Sequence, residues 1–215
     1  DEEEHEMRKV FISAIKIKKE ATVPAFRSRD FDLGDKKFFA PVSYLLDANL
    51  EDGDDVLVLT GITDNADPRE NYEKKLKPEL ERILEAHHAK YELREVTEPD
   101  PEKDRELMDS LTFSRFFKEV ADRLQDGDRI YADMTFGMKC YTLGMFIAMA
   151  YAAKAGVDVD VERMIYSEYY RGNGEVEPAS DIIDITSLFY INTMTSNAAP
   201  GQKKSMDNFL KLMIG

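Results

Sequence analysis

Six short runs of the chain have the length and composition of β-strands. They are apolar or alternate between apolar and polar residues, and most are rich in valine and isoleucine. The runs cover residues 8–15, 56–60, 90–96, 129–133, 157–166 and 181–186. The run at 56–60 is apolar throughout, as expected of a strand that is covered on both faces.

Longer segments between these runs are predicted to be helices, because their apolar residues recur at three- and four-residue spacing. The segments cover residues 38–50, 67–87, 105–125 and 138–155. The segment at 67–87 begins with an aspartate followed by proline, which is typical of a helix N-terminus. Gly156 is expected to end the segment at 138–155.

Strands that alternate with helices of this length predict right-handed β-α-β units. We therefore expect an α/β fold that is Rossmann-like, with a mainly parallel central sheet of about six strands flanked by helices. The polar stretch 16–34 contains Pro24 and Gly34 and is predicted to be a long loop. Residues 1–7 are predicted to be an acidic tail, and residues 205–215 read as the beginning of a further helix.

Charge narrows the possible functions. The 215 residues carry a formal net charge of −14, which argues against long nucleic acid and anionic membrane surfaces, since both need a basic face. A small anion in a local pocket stays possible, because net charge is a long-range property.

The apolar stretch 140–153 is too short to span a bilayer. The single cysteine, Cys140, excludes an internal disulfide and favours a cytoplasmic location.

Ligands of open α/β sheets bind beyond the carboxyl ends of the strands. Three of the predicted strands are followed there by hydroxyl residues, glycine or lysine. The candidate ligand-binding residues are Ser13, Ala14, Ile15, Lys16, Thr60, Gly61, Thr135, Phe136, Gly137, Met138 and Lys139. The last five lead directly into a helix, whose N-terminal amides favour an anion. A lysine is unfavourable at a helix N-terminus, and a bound anion would explain Lys139 there.

An ordinary strand-to-helix turn accounts for the same residues about as well. In that interpretation Asp133 and Thr135 cap the helix, Gly137 forms the turn, and Lys139 is solvated. The chain contains neither GxGxxG nor GxxxxGK[ST], so dinucleotide and P-loop sites are not indicated.

Metal ligands are not indicated either. His87 and His88 are adjacent and point to different sides of a helix, and the carboxylates at 98–106 lie in a proline-containing loop. We therefore expect no metal site and no cofactor.

The segment 129–152 resembles the CARF domains, the CRISPR-associated Rossmann-fold sensors. An apolar strand is followed by Asp133, Thr135 and Gly137 in the pattern Asp-x-Thr-x-Gly, and then by Lys139 and an apolar helix. Other features agree with this pattern and extend the resemblance over most of residues 8–190. They are Ser13 at the end of the first strand, Tyr166 near the end of the fifth, and the strand at 181–186.

The resemblance implies a homodimer that binds a cyclic oligoadenylate, the second messenger of type III CRISPR antiviral defence, across its two-fold axis. Cyclic tetra-adenylate is expected first, because it is itself two-fold symmetric, and cyclic hexa-adenylate second. Residues 8–190 would form the ligand-binding domain, and residues 191–215 would lead to an effector domain or complete the dimer. The loop at 16–34 would close over the ligand or stay solvated.

Other functions remain open at this point. A ring nuclease would cleave the same ligand without a metal, by attack of a 2′-hydroxyl on the adjacent phosphate. The predicted ligand-binding loops contain no histidine, so no catalytic residue is assigned and sensing is favoured over cleavage. A generic Rossmann-like nucleotide-binding enzyme and a dimerisation module without a ligand are the remaining alternatives.

Overall fold

Seven strands form one sheet in the computed structural model, which describes residues 7–15, 25–98, 110–170 and 179–214. The strands are β1 Lys9–Ala14, β2 Ala25–Ser28, β3 Asp55–Thr63, β4 Lys90–Glu98, β5 Arg129–Asp133, β6 Asp160–Tyr170 and β7 Ala179–Asp184. Their order across the sheet is β2-β7-β6-β5-β1-β3-β4. Neighbouring strands are parallel except β6 and β7, which are antiparallel.

Helices connect the strands and cover both faces of the sheet, so the predicted α/β, Rossmann-like architecture is confirmed. The helices are α1 Pro41–Asn49, α2 Ala66–Asn71, α3 Lys77–Ala86, α4 Ser110–Ala121, α5 Lys139–Lys154, α6 Thr186–Asn197 and α7 Lys203–Ile214. None of the helices in the described part of the chain is long and apolar enough to cross a membrane.

Each central strand contributes side chains to two apolar cores, because successive side chains point to opposite faces. Phe11 of β1 packs with α1 and α3, and we call this side of the sheet the α1 face. Val10 and Ile12 pack with α5 on the other side, the α5 face. Burial on both faces explains why these strands are apolar throughout.

The helix predicted over 67–87 is interrupted. A π-helical turn, Tyr72–Leu76, separates α2 from α3. Pro78 lies in the first turn of α3. Proline lacks an amide hydrogen and its ring clashes with the carbonyl four residues earlier, so the regular hydrogen-bond ladder cannot continue through it.

Two elements were not predicted from the sequence. Strand β2 lies inside the stretch 16–34, so the prediction of a loop is wrong for Ala25–Ser28. Helix α6, Thr186–Asn197, crosses the predicted domain boundary at residue 190. The helix predicted near the end of the chain is confirmed as α7.

Candidate functional site

The crevice between β1 and β5 is the point at which the strand order reverses. After β1 the chain forms the short edge strand β2 beside β7. It then adds β3 and β4 outward from one side of β1, and returns to β5 on the other side of β1. The edge at which β1, β3 and β5 end, here called the carboxyl edge, therefore opens between the loops that follow β1 and β5. Ligands of doubly wound sheets bind at such a point.

A row of buried polar side chains lies on the α1 face at the carboxyl edge. Ser13 pairs with Thr60 of β3, and Asp133 ends the neighbouring strand β5. Ser167 of β6 lies two residues beyond Ile165, the partner of Asp133 in the sheet. All four side chains are more than nine-tenths buried. Among the described residues, the hydroxyl oxygens of Ser13 and Ser167 have no hydrogen-bond partner.

Asp133 joins this row to the beginning of α1. Its carboxylate accepts hydrogen bonds from the amide of Val42, at 3.0 Å, and from the amide of Thr135, at 2.9 Å. Complete burial raises the pKa of Asp133 to about 6, although the hydrogen bonds from Thr135 and Val42 act in the opposite direction. Asp133 therefore caps α1 rather than the helix that follows it in sequence.

A second carboxylate occupies the same helix N-terminus. Glu79 of α3 accepts hydrogen bonds from the amide of Phe39, at 2.9 Å, and from the hydroxyl of Ser43. Burial raises the pKa of Glu79, and these hydrogen bonds counteract the effect only in part. With Glu79 and Asp133 in place, the N-terminus of α1 is already satisfied by two anionic groups and is not a site for a third.

The loop after β5 is fixed to β6 on both sides of Tyr166. The amide of Met134 donates to the carbonyl of Ile165 at 2.8 Å, and the amide of Ser167 donates to the hydroxyl of Thr135 at 2.9 Å. The hydroxyl of Thr135 also bonds to Asp133. Thr135 therefore holds the loop in place inside the protein.

The N-terminus of α5 differs from that of α1. Gly137 has φ +90°, a conformation that favours glycine, and Met138 is the N-cap residue. Met138 makes no side-chain hydrogen bond to the helix, and the first turn carries no acidic residue. Lys139, the first helical residue, is exposed. The positive end of α5 and the exposed charge of Lys139 therefore lie together at the carboxyl edge, where both favour an anion.

The predicted ligand-binding residues meet at the carboxyl edge but differ in accessibility. Ser13, Ala14, Ile15, Thr60 and Gly61 are buried, and the amide of Ile15 donates to the carbonyl of Gly61 at 2.9 Å. These five residues lie beneath the crevice, and their side chains are not accessible to a ligand.

The side chains of Phe136 and Met138 also pack toward the interior of the protein. Phe136 packs against the core on the α1 face, and Met138 packs against the core on the α5 face. Lys16 and the rest of 16–24 lie outside the described residues, as do residues 1–6 of the predicted acidic tail. At the other end of 16–34, Arg27 forms an ion pair with Asp181, at 2.8 Å.

His87 and His88, which follow α3, lie far from the crevice in the fold. The carbonyl of His87 accepts a hydrogen bond from the amide of Gly53, and Nδ1 of His88 lies 2.6 Å from a carboxylate oxygen of Asp52. Gly53 and Asp52 belong to the turn that precedes β3. This turn lies at the opposite edge of the sheet. No group of three or more potential metal ligands occurs among the described residues.

Ser167 was not identified from the sequence as part of the buried polar row, although the alternation of side chains along a strand indicates it. Ile165 and Ser167 are two positions apart in a strand, so a buried Ile165 predicts that Ser167 points to the same face. No protein-family model matches the chain, and no curated protein matches it either.

Proposed function

We propose that this chain is a CARF-like sensor of type III CRISPR antiviral defence. Its ligand is a cyclic oligoadenylate, with cyclic tetra-adenylate as the first choice and cyclic hexa-adenylate as the second. The observation that carries the proposal is the exposed Lys139 at the N-terminus of α5, at the crevice where the strand order reverses. The N-terminus of α1 already contacts the carboxylates of Glu79 and Asp133, so it is not the anion site we propose.

The chemistry of a phosphate ring fits this position. Backbone amides at the beginning of a long helix donate to phosphate oxygens, and the helix dipole favours their negative charge. Gly137 has no side chain to block the approach of a ligand to the backbone. Lys139 adds a formal positive charge, which supports a local anion site in a chain of net charge −14.

A homodimer is supported by the outer side of α5. Leu143, Ile147 and Tyr151 lie four residues apart and are 58%, 48% and 54% exposed. A helix that is apolar on all sides is normally buried, so a second copy of the chain is the partner we propose for this stripe. Around a two-fold axis it would bring a second Lys139 and a second helix N-terminus to the ligand.

Sensing is favoured over ring cleavage. The hydroxyl of Thr135 is engaged by Ser167 and Asp133, and Ser13 is buried. Neither hydroxyl is placed to orient a reacting 2′-hydroxyl, and His87 and His88 lie at the opposite edge of the sheet. In this proposal the bound ring is retained and its binding controls an attached effector.

The test is binding of labelled cyclic tetra-adenylate and cyclic hexa-adenylate in the absence of metal. We expect wild-type protein to retain one of the rings at micromolar concentration and Lys139→Glu to lose it. Lys154→Glu is the matched control, because Lys154 ends the same helix and is exposed. No retention of either ring by the wild type would refute the proposal, and equal loss in both variants would refute the placement of the site. Linear product would instead assign a ring nuclease.

A further inference from the structure

Tyr166 is the residue of β6 that lies immediately beyond the end of β5. Ile165 pairs with Asp133, the last residue of β5, so the part of β6 that begins at Tyr166 pairs only with β7. The two contacts that attach the loop after β5 to β6 fall on Ile165 and Ser167. The backbone of Tyr166 is therefore held on both sides by the same loop that leads to α5.

The side chain of Tyr166 belongs to the α5 face. Met164, two residues earlier in β6, is buried in the core on that face, and alternation places Tyr166 on the same side. Ser167 points to the opposite face with Ile165. Tyr166 thus projects on the side of the sheet where α5 begins at Lys139.

The ring of Tyr166 is available to a ligand. It is 42% exposed, and its cross-strand partner on β7 is Ile183, which is 38% exposed. An aromatic ring on a clamped strand loses little conformational freedom when it binds, so it is a suitable planar surface for a nucleobase.

We propose that Tyr166 stacks against an adenine base of the ligand while the N-terminus of α5 and Lys139 hold a phosphate. This inference rests on the proposed function and adds to it the residue that recognises the base. A nucleotide presents an anion and an aromatic plane about one sugar apart. At the carboxyl edge Lys139 and the ring of Tyr166 belong to two segments that are hydrogen-bonded to each other, through the amide of Ser167 and the hydroxyl of Thr135.

Substitution of Tyr166 separates stacking from the other interactions. Tyr166→Phe keeps the ring and is expected to bind cyclic tetra-adenylate within about twofold of wild type. Tyr166→Leu keeps an apolar side chain and is expected to weaken binding about 5- to 150-fold, which corresponds to the roughly 1–3 kcal/mol of one stacked base. The salt dependence of affinity should be unchanged in Tyr166→Leu and weaker in Lys139→Gln, because only Lys139 carries charge to the phosphate.

Tyr169→Leu is the matched control, since Tyr169 is 54% exposed on the same strand but on the opposite face. It should bind as wild type does, and circular dichroism should show that all variants are folded. Wild-type affinity in Tyr166→Leu, or a loss confined to Tyr169→Leu, would overturn the inference and leave the proposed function intact. Absence of binding by the wild type would overturn both.

Discussion

Asp133→Asn tests whether the buried carboxylate destabilises the fold when it is ionised. The side chain of Asp133 is completely buried, which raises its pKa from 3.8 to about 6. Between these values the folded protein keeps a proton that the unfolded chain has released, so stability falls as the pH rises from about 4 to 6. At roughly 1.36 kcal/mol per pKa unit, ionisation costs the folded state about 3 kcal/mol at pH 7.

The asparagine variant cannot titrate and should lack this slope. Its amide oxygen can accept from either Val42 or Thr135 but not from both, and the amide left unpaired should cost about 1–3 kcal/mol at every pH. This loss lowers the free energy of unfolding by the same amount at every pH, so it does not change how stability depends on pH. The free energy of unfolding of wild type should therefore fall by about 2.4 kcal/mol relative to the variant between pH 4 and pH 7.

The assay is urea unfolding followed by circular dichroism at several pH values from 4 to 7. Other titrating groups, including Glu79, are present in both proteins and largely cancel in the difference. Asp181→Asn is the control for the loss of a surface carboxylate, because Asp181 is half-exposed in its ion pair with Arg27. Parallel profiles for Asp133→Asn, or a wild type that gains relative stability with pH, would refute the reasoning.

Two further predictions concern the turn before α5 and its outer side. Gly137→Ala should lower the free energy of unfolding by about 1–2 kcal/mol, because a residue with a Cβ atom is strained at a φ of +90°. The same substitution should also weaken binding of the cyclic oligoadenylate. Gly127→Ala, with φ +83° at the opposite edge, should lose similar stability in urea unfolding but no affinity. Leu143→Glu should make the protein monomeric in analytical ultracentrifugation, whereas Leu212→Glu, on α7, should not. A wild type that is already monomeric would contradict the proposed dimer.

The strands that are buried on both faces of the sheet could be predicted well from the sequence. Strands β1, β3 and β5 are covered on both faces, so their apolar runs are clear in the sequence. Strand β2 has four residues and alternating exposure, which is too short a pattern to distinguish from a loop. Helix α6 is rich in threonine, serine and asparagine, which favour helices weakly, so its helical form depends on packing by residues such as Phe189.

The candidate site was predictable in position but not in the roles of its residues. The sequence places Asp133, Thr135 and Lys139 at the end of a strand, and the structure confirms that position. The partners of Asp133 and Thr135 could not be predicted, because Val42 and Ser167 are distant in sequence and reach them only through the sheet order. The accessible chemistry is consequently concentrated in the backbone after Gly137 and in Lys139.

The bond between Asp133 and Val42 has a consequence for the order of folding. It joins residues 91 positions apart, so the first turn of α1 gains this acceptor only after most of the chain has been synthesised. Strand β1 depends on the same event, because β5 is its neighbour on one side. Until β5 arrives, the apolar strand β1 has an unpaired edge, and a nascent chain that ends before residue 129 is exposed to aggregation through it.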